Sequence, residues 1–180
     1  MNMTKLNDIV FTVLKVIAWI IFVGLCIESG GLIVNFLFSI FNPDFVDKLY
    51  QKLDLSMLYK QSKWAFFSLY SFALTVSVLK AIMFYIVIEM LQKLDLRNPF
   101  SSIVARKITV LSYYALSIGI LSFIAKQTGH NMEKHGYSTE RLNQFWVDSD
   151  AFIIMAAVVF IIAQIFKRGV YVQQENDLTV

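Results

Sequence analysis

Charge is what this chain has least of. Of 180 residues only 16% are Asp, Glu, Lys or Arg, while 57% are hydrophobic and 16 are Phe. Soluble domains carry about 25% charged residues, so the chain lacks the groups that keep a whole surface in water. Its single cysteine, Cys26, excludes an intramolecular disulfide, a Cys-only zinc framework and a dithiol redox pair. The long apolar stretches hold no His and no Asp. A nucleophile with its base, or a metal set, therefore has no material there, and no enzyme activity or cofactor is expected. A net charge of +3, with basic residues scattered between hydrophobic blocks, argues against direct nucleic-acid binding. One membrane domain over residues 1–180 is the expectation.

The first apolar block is read as retained, not as a signal peptide. It is far longer than the usual ~7–15-residue apolar region and lacks a small-x-small cleavage site. Leu25 before Cys26 also departs from a lipoprotein box, which needs a small residue there.

What the chain has in quantity is apolar length. A membrane-crossing helix needs about 20 largely apolar residues, and four segments qualify: 9–41, 64–90, 108–125 and 151–172. The last is apolar to Phe166 and continues through Lys167 and Arg168, whose long stems let their heads reach an interface. The fold class that follows is all-α: a polytopic four-transmembrane-helix bundle with short amphipathic connecting helices, and residues 173–180 as a C-terminal tail. Its natural partners include membrane lipids.

The connections carry their own signals. Asn42-Pro43-Asp44 reads as a helix start, with Phe45, Val46, Leu49, Tyr50 and Leu53 on one face of the helix that follows. Asn98-Pro99 reads as another, with Phe100 at the interface and Ser101 or Ser102 as further caps. Between spans three and four, Ser138-Thr139-Glu140 starts a short helix that returns Leu142, Phe145 and Trp146 to the membrane. His130, Glu133 and His135 in the same connection are weak metal-ligand candidates, and a solvated loop accounts for them better. Four crossings place both termini on one side. The basic residues Lys93, Arg97, Arg106 and Lys107, gathered in the short second connection, assign that side to the cytoplasm.

Two opposite charges lie at depth: Glu28 in the first span and Lys80 in the second, whereas Lys15 and Glu89 fall near span ends. A charge at bilayer depth costs about 2.5–3.5 kcal/mol on insertion scales, so it is usually paired, water-facing or functional. In an antiparallel hairpin the two lie about 20 and 24 Å from the same surface, within one helical turn of each other. They are expected to form a buried polar pair, with Gly24, Gly30 and Gly31 beside Glu28 permitting close helix approach. An ion pair that only fixes helix register is the structural reading of the same residues.

Several stretches together carry a resemblance. They are Gly24-Leu25-Cys26-Ile27-Glu28-Ser29-Gly30, Leu79-Lys80-Ala81, Asn98-Pro99-Phe100-Ser101 and Ser112-Tyr113-Tyr114. The last and most specific is Phe166-Lys167-Arg168-Gly169 followed by Gln174-Glu175-Asn176-Asp177-Leu178-Thr179-Val180. The chain resembles the bacterial membrane family known as domain of unknown function 2975 over nearly its whole length. That resemblance implies the four-helix layout and a bacterial inner membrane, but no activity. Family members are often encoded beside a small helix-turn-helix regulator, which implies a membrane protein that holds or controls a transcription factor.

The leading functional expectation is a non-enzymatic regulatory or receptor-like protein that binds a partner through its cytoplasmic face. Candidate partner-binding residues are Asn98, Phe100, Arg106, Lys107, Lys167, Arg168, Leu178 and Val180. Two alternatives stand beside it: a small-solute or ion pathway through Glu28 and Lys80, and a structural subunit of a larger membrane assembly.

Overall fold

The computed structural model of the protein describes residues 3–41, 55–94, 99–146 and 148–177, with the backbone alone for 3–8 and 177. Within them the chain forms α1 (Met3–Phe41), α2 (Ser56–Gln61), α3 (Lys63–Lys93), α4 (Ser102–Lys134), a 3-10 helix (Glu140–Phe145) and α5 (Ser149–Asp177). No strand occurs among the described residues. Four helices are long and apolar enough to cross a membrane, as expected where every backbone polar group must be satisfied inside its own segment. This is a multi-pass membrane protein by its architecture.

Helix starts follow local chemistry. Ser62 and Ser101 both hold extended backbone and accept, through their hydroxyls, from the amides of Ala65 and Val104 at 3.3 Å. The start expected at Asn98-Pro99 therefore falls at Ser102, because Ser101 supplies the cap; Asn98 itself lies outside the described residues. The helix expected over 45–53 also lies outside them. α4 runs on through Lys134, so His130 and Glu133 sit on a helix rather than in the expected loop. α5 likewise continues through Gly169 to Asp177, so residues 173–177 extend the helix instead of forming a tail.

The helices pack in sequence order. α1 lies on α3, α3 on α4 and α4 on α5, the last pair being the most extensive. α4 explains that extent. Its buried positions include Ala105, Ser112 and Gly119, and Ile108, Ala115, Ser122 and Gly129, both sets repeating every seven residues. Small residues on such a repeat let helices approach closely in lipid, where no hydrophobic force drives them together. At Gly119 the approach is backbone-deep: a Cβ there would stand 3.0 Å from the Ile153 nitrogen and 2.6 Å from its Cγ1.

Three clusters stack along the bundle. At the termini end, Val104 and Ile108 meet Ala163, with Met90 and Phe166 around them. Val76 and Met83 meet Ala115, Ile118 and Ala156 in the middle. At the far end Leu58, Phe66, Leu69 and Tyr70 close over Leu142, Phe145 and Trp146. The 3-10 helix is thus tucked into the bundle, and Trp146 is only 1% exposed. Leu142, Phe145 and Trp146, expected to return to the membrane, are buried within the bundle itself.

Candidate functional site

Aromatic contacts set the register of α1 on α3. Phe22 meets Tyr85 with ring centroids 5.8 Å apart, and Phe36 meets Tyr70 at 5.4 Å. The Tyr70 hydroxyl donates to the Leu32 carbonyl at 3.0 Å. Interpolating between these contacts puts Glu28 and Lys80 within about a turn of the same level, as the hairpin geometry required.

They do not meet directly. The Lys80 ammonium donates to the Phe145 carbonyl at 3.4 Å and lies over the Phe152 ring, 5.5 Å from its centroid. Phe145 ends the 3-10 helix, and a terminal carbonyl has no partner within its own helix. A cation there satisfies it and complements the negative end of the helix. Glu28 and Asp148 both act on the ammonium through their fields. Among the described residues no ion pair joins Glu28 to Lys80. Glu28 is also exposed, and the space beside Gly24, Gly30 and Gly31 is open. The expected buried pair is therefore corrected to a half-buried lysine anchored on a returning loop, with two carboxylates in its field. Sequence reasoning missed Phe145, Phe152 and Asp148 because nothing local indicates how deep the residue 140–149 segment descends.

The far end is closed by a polar lattice. Glu133 accepts from the Thr139 hydroxyl at 2.6 Å and from the Asn143 amide at 3.4 Å, and Asn143 in turn accepts from the Trp146 indole at 3.1 Å. Gln61 reaches across from α2, donating to the Gly136 carbonyl at 3.2 Å and accepting from the Ser138 amide at 3.0 Å. The candidate metal residues do not converge. His130 Nδ1 stands 3.9 Å from Glu133, while His135 Nδ1 lies 2.8 Å from its own helix's Asn131 carbonyl. Among the described residues no three His, Cys, Asp or Glu side chains gather to hold a metal.

The termini end brings together residues that the sequence keeps far apart. Phe100, leading into α4, packs its ring on Gly169 of α5, where a Cβ would stand 2.4 Å from the ring, and against Phe166 at 5.4 Å. Gly169 therefore provides a notch for Phe100 within a helix that continues past it. Arg106 and Lys167 line one groove between α4 and α5. Phe100, Arg168, Gly169, Val172 and Gln173 line a second, an open trough of about 710 Å³. The Arg168 guanidinium stacks on Tyr171, 5.1 Å from the ring centroid. Lys107 departs from this set: it forms an ion pair with Glu89 of α3. Leu178 and Val180 lie outside the described residues.

Comparison with known proteins adds a family. A family model described as "Protein of unknown function (DUF2975)" matches residues 50–180. The match begins after α1, so the stretch Gly24–Gly30 lies outside it. No curated protein and no solved structure matches the chain.

Proposed function

The chain belongs to the DUF2975 family, and we propose that it is a non-enzymatic regulatory membrane protein that holds a soluble partner at its termini end. The observation carrying this reading is the open trough between Phe100 and the last turns of α5. There α5 leaves Ile165 and Val172 with 60% and 43% of their surfaces uncovered, beside Phe100. An apolar strip on a helix, bounded by Arg168, Gln173 and Asn176, has the composition of a surface that receives a helix or a short peptide. The proposed partner is a small helix-turn-helix regulator. The proposed setting is the bacterial inner membrane, with the termini in the cytoplasm where such a regulator is found.

A membrane pathway through Glu28 and Lys80 is disfavoured by the bond from Lys80 to Phe145, which gives that ammonium a structural task. The trough reading is tested by placing a photo-crosslinking residue at Val172, with a second at Met57 on the far end as control. Illumination of intact cells is expected to attach a DNA-binding protein at position 172 and not at 57. Adducts with other integral membrane proteins alone would favour the accessory-subunit role, and the absence of any adduct at 172 would refute the trough as a docking surface.

A further inference from the structure

We propose that the groove between α4 and α5 at the termini end is a binding site for an anionic phospholipid. Its wall is made by Ser102, Arg106, Val110 and Tyr113 of α4 with Lys167 and Val170 of α5, enclosing about 370 Å³. Arg106 and Tyr113 are seven residues apart, two turns or about 10 Å along the helix, so the groove runs with the helix axis. Ser102 and Val170 stand at its outermost level, Arg106 and Lys167 about one turn deeper, and Val110 and Tyr113 follow toward the middle of the bundle. At the inner end Tyr113 packs on Phe160, ring centroids 6.4 Å apart.

Charge complementarity chooses the occupant. Among the described residues no carboxylate lies within ion-pairing distance of Arg106 or Lys167. The neighbouring Lys107, by contrast, is neutralised by Glu89. Two adjacent helices thus bring to one mouth cations that have no carboxylate partner among the described residues, while the adjacent Lys107 is engaged elsewhere. Arginine presents a planar fork that matches two phosphate oxygens, and lysine adds a point charge. The first turn of α4 opens at the same mouth through Ser102, adding the positive end of a 33-residue helix. Deeper than Arg106 and Lys167, Val110 and the face of Tyr113 offer an apolar wall that a free anion cannot use but an acyl chain can cover. A phosphate joined to a hydrocarbon chain satisfies both halves of the groove. The inference does not depend on a protein partner, since it uses the opposite side of α5 from the trough.

The test uses full-length protein in mild detergent, titrated with phosphatidylglycerol, with phosphatidylcholine of the same chains, or with inorganic phosphate, and read by native mass spectrometry. Phosphatidylglycerol is expected to remain bound in preference to phosphatidylcholine. The double variant Arg106→Gln with Lys167→Gln should lose about 30-fold in phosphatidylglycerol retention, the factor that about 1 kcal/mol for each basic residue near anionic lipid converts to. Val110→Trp fills the groove at this wall without touching either charge, and should also abolish lipid retention. Lys107→Gln should leave lipid retention unchanged, and Arg106→Lys with Lys167→Arg should retain most of it, which separates charge loss from misfolding. Equal retention of the two lipids, inorganic phosphate competing fully with phosphatidylglycerol, or an unaffected Val110→Trp variant would each overturn the proposal.

Discussion

At the scale of single residues, Lys80 separates what depth alone predicts from what contact decides. A charge in mid-span is legible in any sequence, and so is the level of its opposite number on the neighbouring helix. Its partner is not, because the Phe145 carbonyl arrives from a segment 65 residues away in the chain. The expected energetic order follows from the contacts. Lys80→Met leaves the Phe145 carbonyl without that donor in a partly buried setting, a loss of about 1–3 kcal/mol. Glu28→Gln removes only a field acting from an exposed position, and should cost less than Lys80→Met. Glu28 and Lys80 lie at about the same level on neighbouring helices, so the double variant also reports whether the two sites are coupled, which strict additivity would exclude. Detergent unfolding of the four proteins in this cycle gives both quantities. A Glu28→Gln cost equal to that of Lys80→Met would restore the direct pair that the structure does not show.

At the scale of elements, Phe100 and Gly169 show why motifs are easier to find than to interpret. Both stand out in the sequence, one beside a helix start and one after a basic pair, and each has a sufficient local explanation. A helix end does not account for Gly169, because α5 runs on to Asp177. The glycine answers to a ring that the chain brings from the connection between α3 and α4. A Cβ in van der Waals conflict with Phe100 pushes the ring out of its notch, so Gly169→Ala is expected to destabilise by about 1–2 kcal/mol, a fraction of the value of a fully buried phenyl group. Alanine is the better helix former by about 1 kcal/mol. In a Phe100→Ala background, therefore, the same Gly169→Ala change should become neutral or stabilising. Thermal unfolding of the cycle measures the reversal. An unchanged cost in that background would mean that Gly169 serves something other than Phe100.

At the scale of the whole molecule, the four crossings were legible and their arrangement was not. In water an apolar stripe identifies the buried face of a helix, but lipid is as apolar as a protein core, so the stripe loses its meaning. α1 illustrates this: it has the highest mean hydropathy of the four spans, 2.6, yet only 6% of its most apolar window is buried, against 44% for α4. Its great hydropathy reflects contact with lipid and not a central place. It packs on α3 along one face, where Ala18, Ser29, Leu32, Asn35 and Ser39 are buried and Phe36 meets Phe67 and Tyr70 while Phe22 meets Tyr85. The family match also begins beyond it, at residue 50. α3, α4 and α5, which share the middle and termini-end clusters, are therefore expected to be a stable body without α1. A protease site placed within residues 42–54 allows this to be tested after normal insertion, so that the orientation of the remaining helices is already set. Following cleavage, α1 should leave in detergent while the remainder keeps its helical signal and a melting temperature within a few degrees of the intact protein. The Tyr70 hydroxyl would lose the Leu32 carbonyl, a net cost of about 0.5–1.5 kcal/mol that the body can absorb. Collapse of the α3–α5 fragment on cleavage would show instead that the α1 contact is what keeps the bundle assembled.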